Sequence, residues 1–115
     1  MKKIKNKGEL DILLKKNKHV FLLFYADWCT LGKSLFPIIK QLEKPYKKEV
    51  VFVKIDIEKH KDLKTAYKVI SLPLIIIVKH KDVKQKLIGI QSKESIEEVI
   101  KKALASDEKE TNKEK

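Results

Sequence analysis

The sequence contains one cysteine, Cys29, and its surroundings favour a reactive thiol. Cys29 directly follows Trp28, after the apolar run 20–25, and a segment with helical spacing begins four residues later. Unpaired backbone N–H groups and the positive end of the dipole at a helix N-terminus stabilise a thiolate. Because Lys33 adds positive charge nearby, the sequence predicts an exposed, nucleophilic Cys29 with a depressed pKa. The alternative is a small apolar side chain with no chemical role.

Alternating apolar patterns predict the elements that hold this cysteine. Three continuous apolar runs are typical of strands buried on both faces. A fourth, shorter run predicts a strand paired antiparallel with the third, and segments with apolar residues at helical spacing flank these runs. The predicted strands are 19–25, 50–57, 74–78 and 86–90, with room for a short strand at 2–5, and the predicted helices are 9–17, 33–44, 59–70 and one capped by Ser92.

This order of elements predicts the fold class. Strands separated by helices are expected to run parallel through right-handed crossovers, and the last hairpin adds an antiparallel edge. We therefore predict an α/β fold, a three-layer α/β/α sandwich with a mixed central sheet of four to five strands and helices on both faces. Pro37 is expected to kink the second helix. The buried face of the third helix is expected to contain Leu63, Ala66, Tyr67 and Ile70.

The end of the chain differs from the rest in composition. Residues 106–115 contain no apolar side chain and carry mixed charge. Such a segment cannot bury enough apolar surface to offset its ordering entropy. The sequence therefore predicts one domain over residues 1–105, followed by a disordered charged tail at 106–115.

Composition argues against several classes of partner. The 115 residues carry a formal net charge of +11, but all 27 basic residues are lysines, spread along the chain. Arginine is the residue that forks onto phosphates and guanines, so no specific nucleic-acid site is predicted. No apolar run is long enough to span a bilayer, and no membrane association is expected. One free cysteine and no visible signal segment favour a reducing compartment, the cytoplasm.

Metal and cofactor chemistry is not predicted either. The three histidines, His19, His60 and His80, are dispersed, and the only cysteine is far from each of them in sequence. No metal-ligand spacing and no glycine-rich phosphate loop is visible. We therefore expect neither a metal nor a cofactor.

Five motifs in order make the sequence resemble the thioredoxin family over about residues 3–105. They are "FYADWC" before the family's redox cysteine, Pro37 eight residues after Cys29, "VKIDIE" at 53–58 with Lys54 at the family's lysine, "VISLPLIIIV" at 69–78 with Pro73 at the family's cis-proline, and Gly89 sixteen residues later. The resemblance implies the thioredoxin fold with Cys29 as the catalytic cysteine. It also implies a peptide groove beside the thiol, formed by Trp28, Leu72, Pro73 and Gly89.

Two departures from the family pattern point to one change of function. Gly32 replaces the family's resolving cysteine, and Leu23 replaces the buried aspartate that helps this second thiol lose its proton. Thioredoxins open a substrate disulfide with the first thiolate and release the product with the second. Neither Gly32 nor the hydroxyl of Ser34 can perform that release. The sequence therefore predicts a single-thiol design that forms mixed disulfides and needs an external thiol to resolve them.

Other positions near the motif are expected to support this chemistry. Thr30 and Leu31 replace the Gly-Pro of typical thioredoxins, and their remaining role is partner recognition beside Trp28. Lys54 lacks the acidic partner it has in the family. We predict that Lys54 either reaches solvent or pairs with the Cys29 thiolate, which would lower the thiol pKa further.

Two classes of function therefore remain open. The first is a thiol–disulfide oxidoreductase of monothiol type, whose partners are protein clients with disulfides or thiols or a small thiol such as glutathione. The second is a non-catalytic module that binds peptides in the groove without redox turnover. The chain is expected to be a monomer, and a dimer linked by a disulfide through Cys29 is the alternative.

Overall fold

The computed structural model describes the backbone of residues 1–113 and the side chains of residues 1–105. One mixed sheet has the strand order β1-β3-β2-β4-β5. Its strands are β1 (Lys2–Lys3), β2 (His19–Tyr25), β3 (Val51–Asp56), β4 (Leu74–Lys79) and β5 (Asp82–Ile88). The helices are α1 (Lys7–Lys16), α2 (Thr30–Ser34), α3 (Phe36–Tyr46), α4 (Lys61–Ala66) and α5 (Lys93–Lys113).

Two apolar cores lie on opposite faces of this sheet. Successive residues of a strand point to opposite faces, so Leu22 and Phe24 of β2 pack with α1 and α4, whereas Phe21 and Leu23 pack with α3 and α5. Every residue of β2 is buried. This arrangement confirms the predicted three-layer α/β/α sandwich with a mixed sheet.

The direction of β4 differs from the sequence prediction. Strands β1, β2 and β3 are parallel, but β4 is antiparallel to β2 although a helix precedes it. The six residues of α4 rise only about 9 Å, less than half the length of a six-residue strand. The chain therefore does not return to the opposite end of the sheet. It enters β4 at Leu74, beside Phe24 near the end of β2.

The helix after Cys29 is two helices rather than one kinked helix from Lys33. Helix α2 begins at Thr30 and ends at Ser34, and the N–H group of its C-cap residue Leu35 donates to the Gly32 carbonyl at 3.2 Å. Pro37 has no N–H group with which to continue the hydrogen bonds of the helix. It lies instead in the first turn of α3, where an N–H group has no intrahelical partner in any case.

Helix α4 also ends earlier than predicted. The N–H group of Lys68 donates to the Thr65 carbonyl and that of Val69 to the Lys64 carbonyl at 2.9 Å. Lys68 has a φ of 53°, so the helix closes in a Schellman motif with a lysine at the position that glycine usually occupies. The predicted burial of Ile70 is wrong because the chain leaves the helix before this residue, and Ile70 is 92% exposed. Ala66, the last residue of α4, was also expected on the buried face and is exposed.

The last hairpin is tighter than the sequence indicated. The prediction treated residues 80–85 as a turn and began the strand at residue 86, but β5 already begins at Asp82. His80 and Lys81 form the turn with φ values of 50° and 70°, the sign that two-residue hairpin turns of type I′ require. Helix α5 begins directly after Ser92, whose hydroxyl accepts the Ser95 N–H group at 3.1 Å, and this confirms the predicted N-cap.

The backbone of α5 continues to Lys113, where the sequence predicted a disordered tail. Lysine and glutamate have high helix propensity, and residues 106–113 contain no glycine or proline. The side chains of residues 106–115 and the backbone of residues 114 and 115 lie outside the described residues, so the domain boundary at residue 105 stays a prediction. Among the helices that the structure describes, none has the length and apolar character needed to cross a membrane.

Candidate active site around Cys29

The ends of several strands bring the Cys29 loop and the Pro73 loop together. Strand β2 ends at Tyr25, four residues before Cys29, and β4 begins directly after Pro73. The Leu72–Pro73 peptide bond is cis, the geometry that the family resemblance implies. Gly89, with a φ of 83°, donates its N–H group to the Pro73 carbonyl at 2.8 Å. The structure therefore places Cys29, Pro73 and Gly89, three of the predicted site residues, at one edge of the sheet.

Cys29 caps helix α2 with its own sulfur. Its backbone is extended, and its Sγ accepts the N–H group of Gly32 at 3.4 Å. This inward turn leaves Cys29 only 8% exposed and packs it into the core that contains Ala26 and Phe24. The predicted exposure of Cys29 is therefore wrong, because the side chain satisfies the helix terminus instead of projecting into solvent. Only a small part of the Cys29 side chain is therefore accessible to a partner.

Gly32 is buried at the place where the family carries its second cysteine. A Cβ atom built at Gly32 would lie 3.6 Å from Cys29 Sγ and 3.7 Å from Pro73 Cβ. It would also lie 3.2 Å from Tyr25 Cβ, closer than side chains usually pack. Because position 32 has no side chain, Tyr25 and Pro73 can pack close to the Cys29 thiol.

The rim of the thiol is apolar and held in place by polar contacts. Trp28 is 68% exposed and Leu31 is 57% exposed, so both predicted recognition residues face solvent beside Cys29. The Trp28 indole Nε1 donates to Glu58 Oε1 at 3.1 Å. Lys33 Nζ donates to the Asp27 carbonyl at 3.2 Å. Thr30 is also exposed, and Leu72 is half-buried next to Pro73.

Lys54 contacts an aromatic ring rather than the thiol. Its Nζ lies 4.6 Å from the centre of the Phe36 ring, a cation–π contact. Partial burial lowers the pKa of Lys54, and the neighbouring ammonium groups of Lys3 and Lys40 lower it further, whereas Asp27 acts in the opposite direction. Among the described contacts Lys54 does not meet Cys29, so its predicted effect on the thiol stays a prediction without direct support.

Three residues of the site were not selected from the sequence. Tyr25 contacts the Gly32 position and packs edge-on against Phe36, with ring centres 5.0 Å apart. Glu58 holds the indole of Trp28, and Ile70 stands exposed two residues before Leu72. Tyr25 is the last residue of the apolar run of β2 and could have been found from its position four residues before Cys29. The Trp28–Glu58 contact joins segments 30 residues apart, so no local sequence pattern could predict it.

The described residues hold no group of three or more histidine, cysteine or acidic side chains that could bind a metal ion. The site consists of the Cys29 thiol and its apolar rim. Both features match a known family.

A family model described as Thioredoxin matches residues 2–102. The chain belongs to the thioredoxin family. A thioredoxin of Mycoplasmoides gallisepticum is 38% identical over 101 residues, which are 88% of this chain and 100% of that protein. Thioredoxin-T of Drosophila melanogaster is 32% identical over 91 residues, 77% of this chain but 58% of that protein.

Solved structures agree with the family assignment. Oxidised mitochondrial thioredoxin 3 of Saccharomyces cerevisiae superposes with a TM-score of 0.81 at 29% identity, covering 89% of this chain and 94% of that one. Proteins of the thioredoxin family act on the thiols and disulfides of other proteins. With a single cysteine, this chain is an atypical member of that redox family.

Proposed function

We propose that this thioredoxin-family protein is a single-thiol redox protein that forms mixed disulfides through Cys29 and depends on an external thiol for release. One observation carries the proposal. At position 32, where a typical family member carries its second sulfur, this chain has Gly32, which offers Cys29 Sγ only its backbone N–H group at 3.4 Å. Because Cys29 is the only cysteine in the chain, no internal disulfide can form.

The reaction follows from ordinary thiol–disulfide exchange. The Cys29 thiolate attacks one sulfur of a client disulfide, a Cys29–client disulfide forms, and the other client sulfur leaves as a thiolate that takes up a proton. An external thiolate then attacks the client sulfur of this bond, which frees Cys29 and leaves the client joined to the external thiol. A second external thiol reduces that last disulfide. Gly32 contributes its N–H group to Cys29 and no electrons.

Further details of partner and location belong to the same proposal. The external thiol is a small molecule of the glutathione class, since the chain lacks its own resolving group. The protein acts in a reducing compartment, the cytoplasm, where such thiols are abundant. The working form is a monomer, since a dimer linked through Cys29 would block the attacking sulfur.

Mass spectrometry of the intact protein tests this proposal. Incubation with glutathione disulfide is expected to add one glutathione to Cys29, and a small thiol is expected to remove it again. The variant Cys29→Ser should gain no adduct under the same conditions. A wild-type chain that stays unmodified while keeping its native circular dichroism spectrum would contradict the proposal.

The burial of Cys29 favours a second candidate, a binding module without redox turnover. Only 8% of Cys29 is exposed, whereas the adjacent Trp28 and Leu31 are mostly exposed. In that case the groove would bind peptides through apolar contacts alone. Equal affinity of wild-type protein and the Cys29→Ser variant for a reduced client peptide, together with the absence of a glutathione adduct, would select this candidate.

A further inference from the structure

A cleft with three lysines lies beside the apolar rim of the thiol. We call it the basic cleft, a depression of about 540 Å³ whose lining includes Lys61, Lys64, Lys68, Glu58 and Ile70. The three lysines are exposed. The lysines of the cleft lie outside the groove that the family resemblance implies, although Glu58 and Ile70 border both.

Ile70 gives the basic cleft an apolar anchor point. It is 92% exposed because the Schellman turn at Lys68 ends α4 and directs the chain away from the core. A single exposed aliphatic side chain is ordinary, but Ile70 stands two residues before Leu72 in the same segment as the predicted groove. A partner lying over this surface would bury Ile70 together with the apolar rim.

Among the residues that line the basic cleft, three lysines stand against one glutamate, so positive charge is in excess. No ion pair of the described residues involves Lys61, Lys64 or Lys68. Glu58 is the only acidic residue of the lining, and its carboxylate accepts the indole N–H group of Trp28. Asp62, the acidic residue next to Lys61, accepts the N–H group of Leu63. The surface therefore complements an acidic partner.

The basic cleft is continuous with the rim of Cys29. Glu58 belongs to its lining and holds Trp28 at 3.1 Å, so the indole borders both the thiol and the cleft. A polypeptide whose sulfur is near Cys29 can extend past Trp28 onto the lysines. Lysine ammonium groups act as point charges and attract any anionic group. Since the proposed clients are polypeptides, the anionic groups that they can offer are the carboxylates of aspartate and glutamate.

We propose that the basic cleft is the docking surface for clients whose reactive disulfide is flanked by acidic residues and one apolar residue. The carboxylates would lie on Lys61, Lys64 and Lys68, and the apolar side chain on Ile70. This inference rests on the proposed mixed-disulfide function and names the class of client. Charged rims of this kind act mainly on the rate of association, and salt weakens their effect.

Stopped-flow kinetics with three synthetic peptides tests the proposal. Each peptide carries a single cysteine joined through a disulfide to thionitrobenzoate, and it has acidic, neutral amide or lysine residues beside a leucine. Attack of the Cys29 thiolate on the peptide sulfur forms the mixed disulfide and releases the coloured thionitrobenzoate anion. At low ionic strength we expect the acidic peptide to react about tenfold faster than the neutral one, and the lysine peptide to react slowest.

Two triple variants separate the basic cleft from the general positive charge of the protein. In Lys61→Gln/Lys64→Gln/Lys68→Gln we expect the acidic and neutral peptides to react within about twofold of each other. The matched control is Lys15→Gln/Lys16→Gln/Lys81→Gln, which removes the same charge from the opposite end of the sheet and should keep most of the preference. Ile70→Ser should slow all three peptides, whereas versions of these peptides with alanine in place of the leucine should react with this variant and with wild-type protein at the same rate.

Three outcomes would overturn the inference. One is an equal loss of preference in both triple variants, which would assign the effect to net charge. Another is a preference that persists undiminished at high salt. The third is an RNA oligonucleotide that binds wild-type protein more tightly than the cleft variant when the three peptides show no rate difference. If Cys29 reacts with no disulfide at all, the proposed mixed-disulfide function is contradicted. The basic cleft is then tested separately, by comparing the affinity of the reduced acidic and neutral peptides for the Cys29→Ser variant.

Discussion

At the scale of single residues, the site combines a retained nucleophile with a surface that no longer holds a second sulfur. Cys29 keeps the position, the tryptophan and the proline loop of the family, and its Sγ accepts a backbone N–H group. Gly32 fills the second position with the smallest residue, and Tyr25 closes over it at a distance that leaves little room for any side chain. The residues around position 32 are therefore packed for a glycine and leave little space for a second sulfur.

Restoring the second sulfur tests how far this packing has adapted. In Gly32→Cys the new Cβ lies 3.6 Å from Cys29 Sγ, which is within reach of a disulfide after a small adjustment. We expect oxidation to remove both free thiols and reduction of insulin to appear, at a slow rate because Leu23 cannot accept a proton. Thiol titration after oxidation and insulin turbidity measure the two effects.

The cost of this substitution comes from Tyr25. The new Cβ lies 3.2 Å from Tyr25 Cβ, and crowding of this kind usually destabilises a core by about 1–3 kcal/mol. Gly32→Ser adds the same Cβ without a second thiol and serves as the control. Two free thiols that survive oxidation in a natively folded Gly32→Cys protein would show that the loop geometry forbids the bond.

At the scale of elements, the turn after α4 decides what the surface near the thiol presents. The Schellman motif ends α4 at Ala66 and leaves Ile70 exposed. It places a lysine in the left-handed region, with a φ of 53°, where a residue with a Cβ atom is strained. This strain is local, because Lys68 is exposed and only its backbone takes part in the motif.

Glycine at this position should therefore stabilise the protein. We expect Lys68→Gly to raise the free energy of unfolding by about 0.5–1 kcal/mol, since glycine adopts positive φ values without a Cβ penalty. Urea denaturation should show a higher midpoint with an unchanged slope. Lys68→Ala keeps the strain and removes the charge, so an equal gain in this variant would assign the effect to charge instead of backbone.

The same element shows where sequence patterns stop being informative. The apolar runs of β2, β3 and β4 identified the buried strands, and the Trp28–Cys29 and Pro73 motifs identified the site, because both are local features. Periodicity continued the third helix to Ile70, since an apolar residue at helical spacing cannot reveal that the backbone has already left the helix at Lys68. The reversed direction of β4 likewise depends on the length of α4 relative to the sheet.

Burial of the thiol was missed for a related reason. The position of Cys29 at a helix start was predicted, and the sequence allowed its sulfur to point outward or back to the helix. The choice is made by the N–H group of Gly32 and by packing near Ala26. The contact between Trp28 and Glu58 and the separation of Lys54 from the thiol are also tertiary outcomes that local spacing does not encode.

At the scale of the whole molecule, stability depends on the packing of two apolar cores without a disulfide. The three tyrosines of the chain have ionisable hydroxyl groups whose pKa values respond to this packing. Burial raises the pKa of Tyr25, and Asp56 and Asp27 raise it further. Burial also raises the pKa of Tyr46, together with its hydrogen bond to Glu97 at 2.8 Å. For Tyr67, burial is again the first cause and Asp11 the second.

These shifts set the response of the fold to alkaline pH. A phenol with a raised pKa holds its proton more tightly in the folded than in the unfolded chain. Its stabilising contribution is therefore complete below the unfolded pKa of about 10 and is lost as the pH rises through the folded value. The lowered pKa of Lys54 acts in the opposite sense, because its destabilising charge disappears as the pH rises toward the unfolded lysine pKa of about 10.4.

A comparison of wild-type protein with Tyr67→Phe isolates the tyrosine contribution from that of the lysines. Phenylalanine keeps the ring packed against Phe24, whose centre lies 5.4 Å away, and removes the ionisable hydroxyl. The difference in unfolding free energy between wild-type and variant, measured in urea, should move steadily in favour of the variant between about pH 9 and about pH 11. In the same interval the tyrosinate absorbance of the folded wild-type protein should rise at a higher pH than that of the urea-unfolded chain. A free-energy difference that stays constant across this interval would show that the Tyr67 hydroxyl ionises alike in both states, and the alkaline response would then belong to Tyr25, Tyr46 and the lysines.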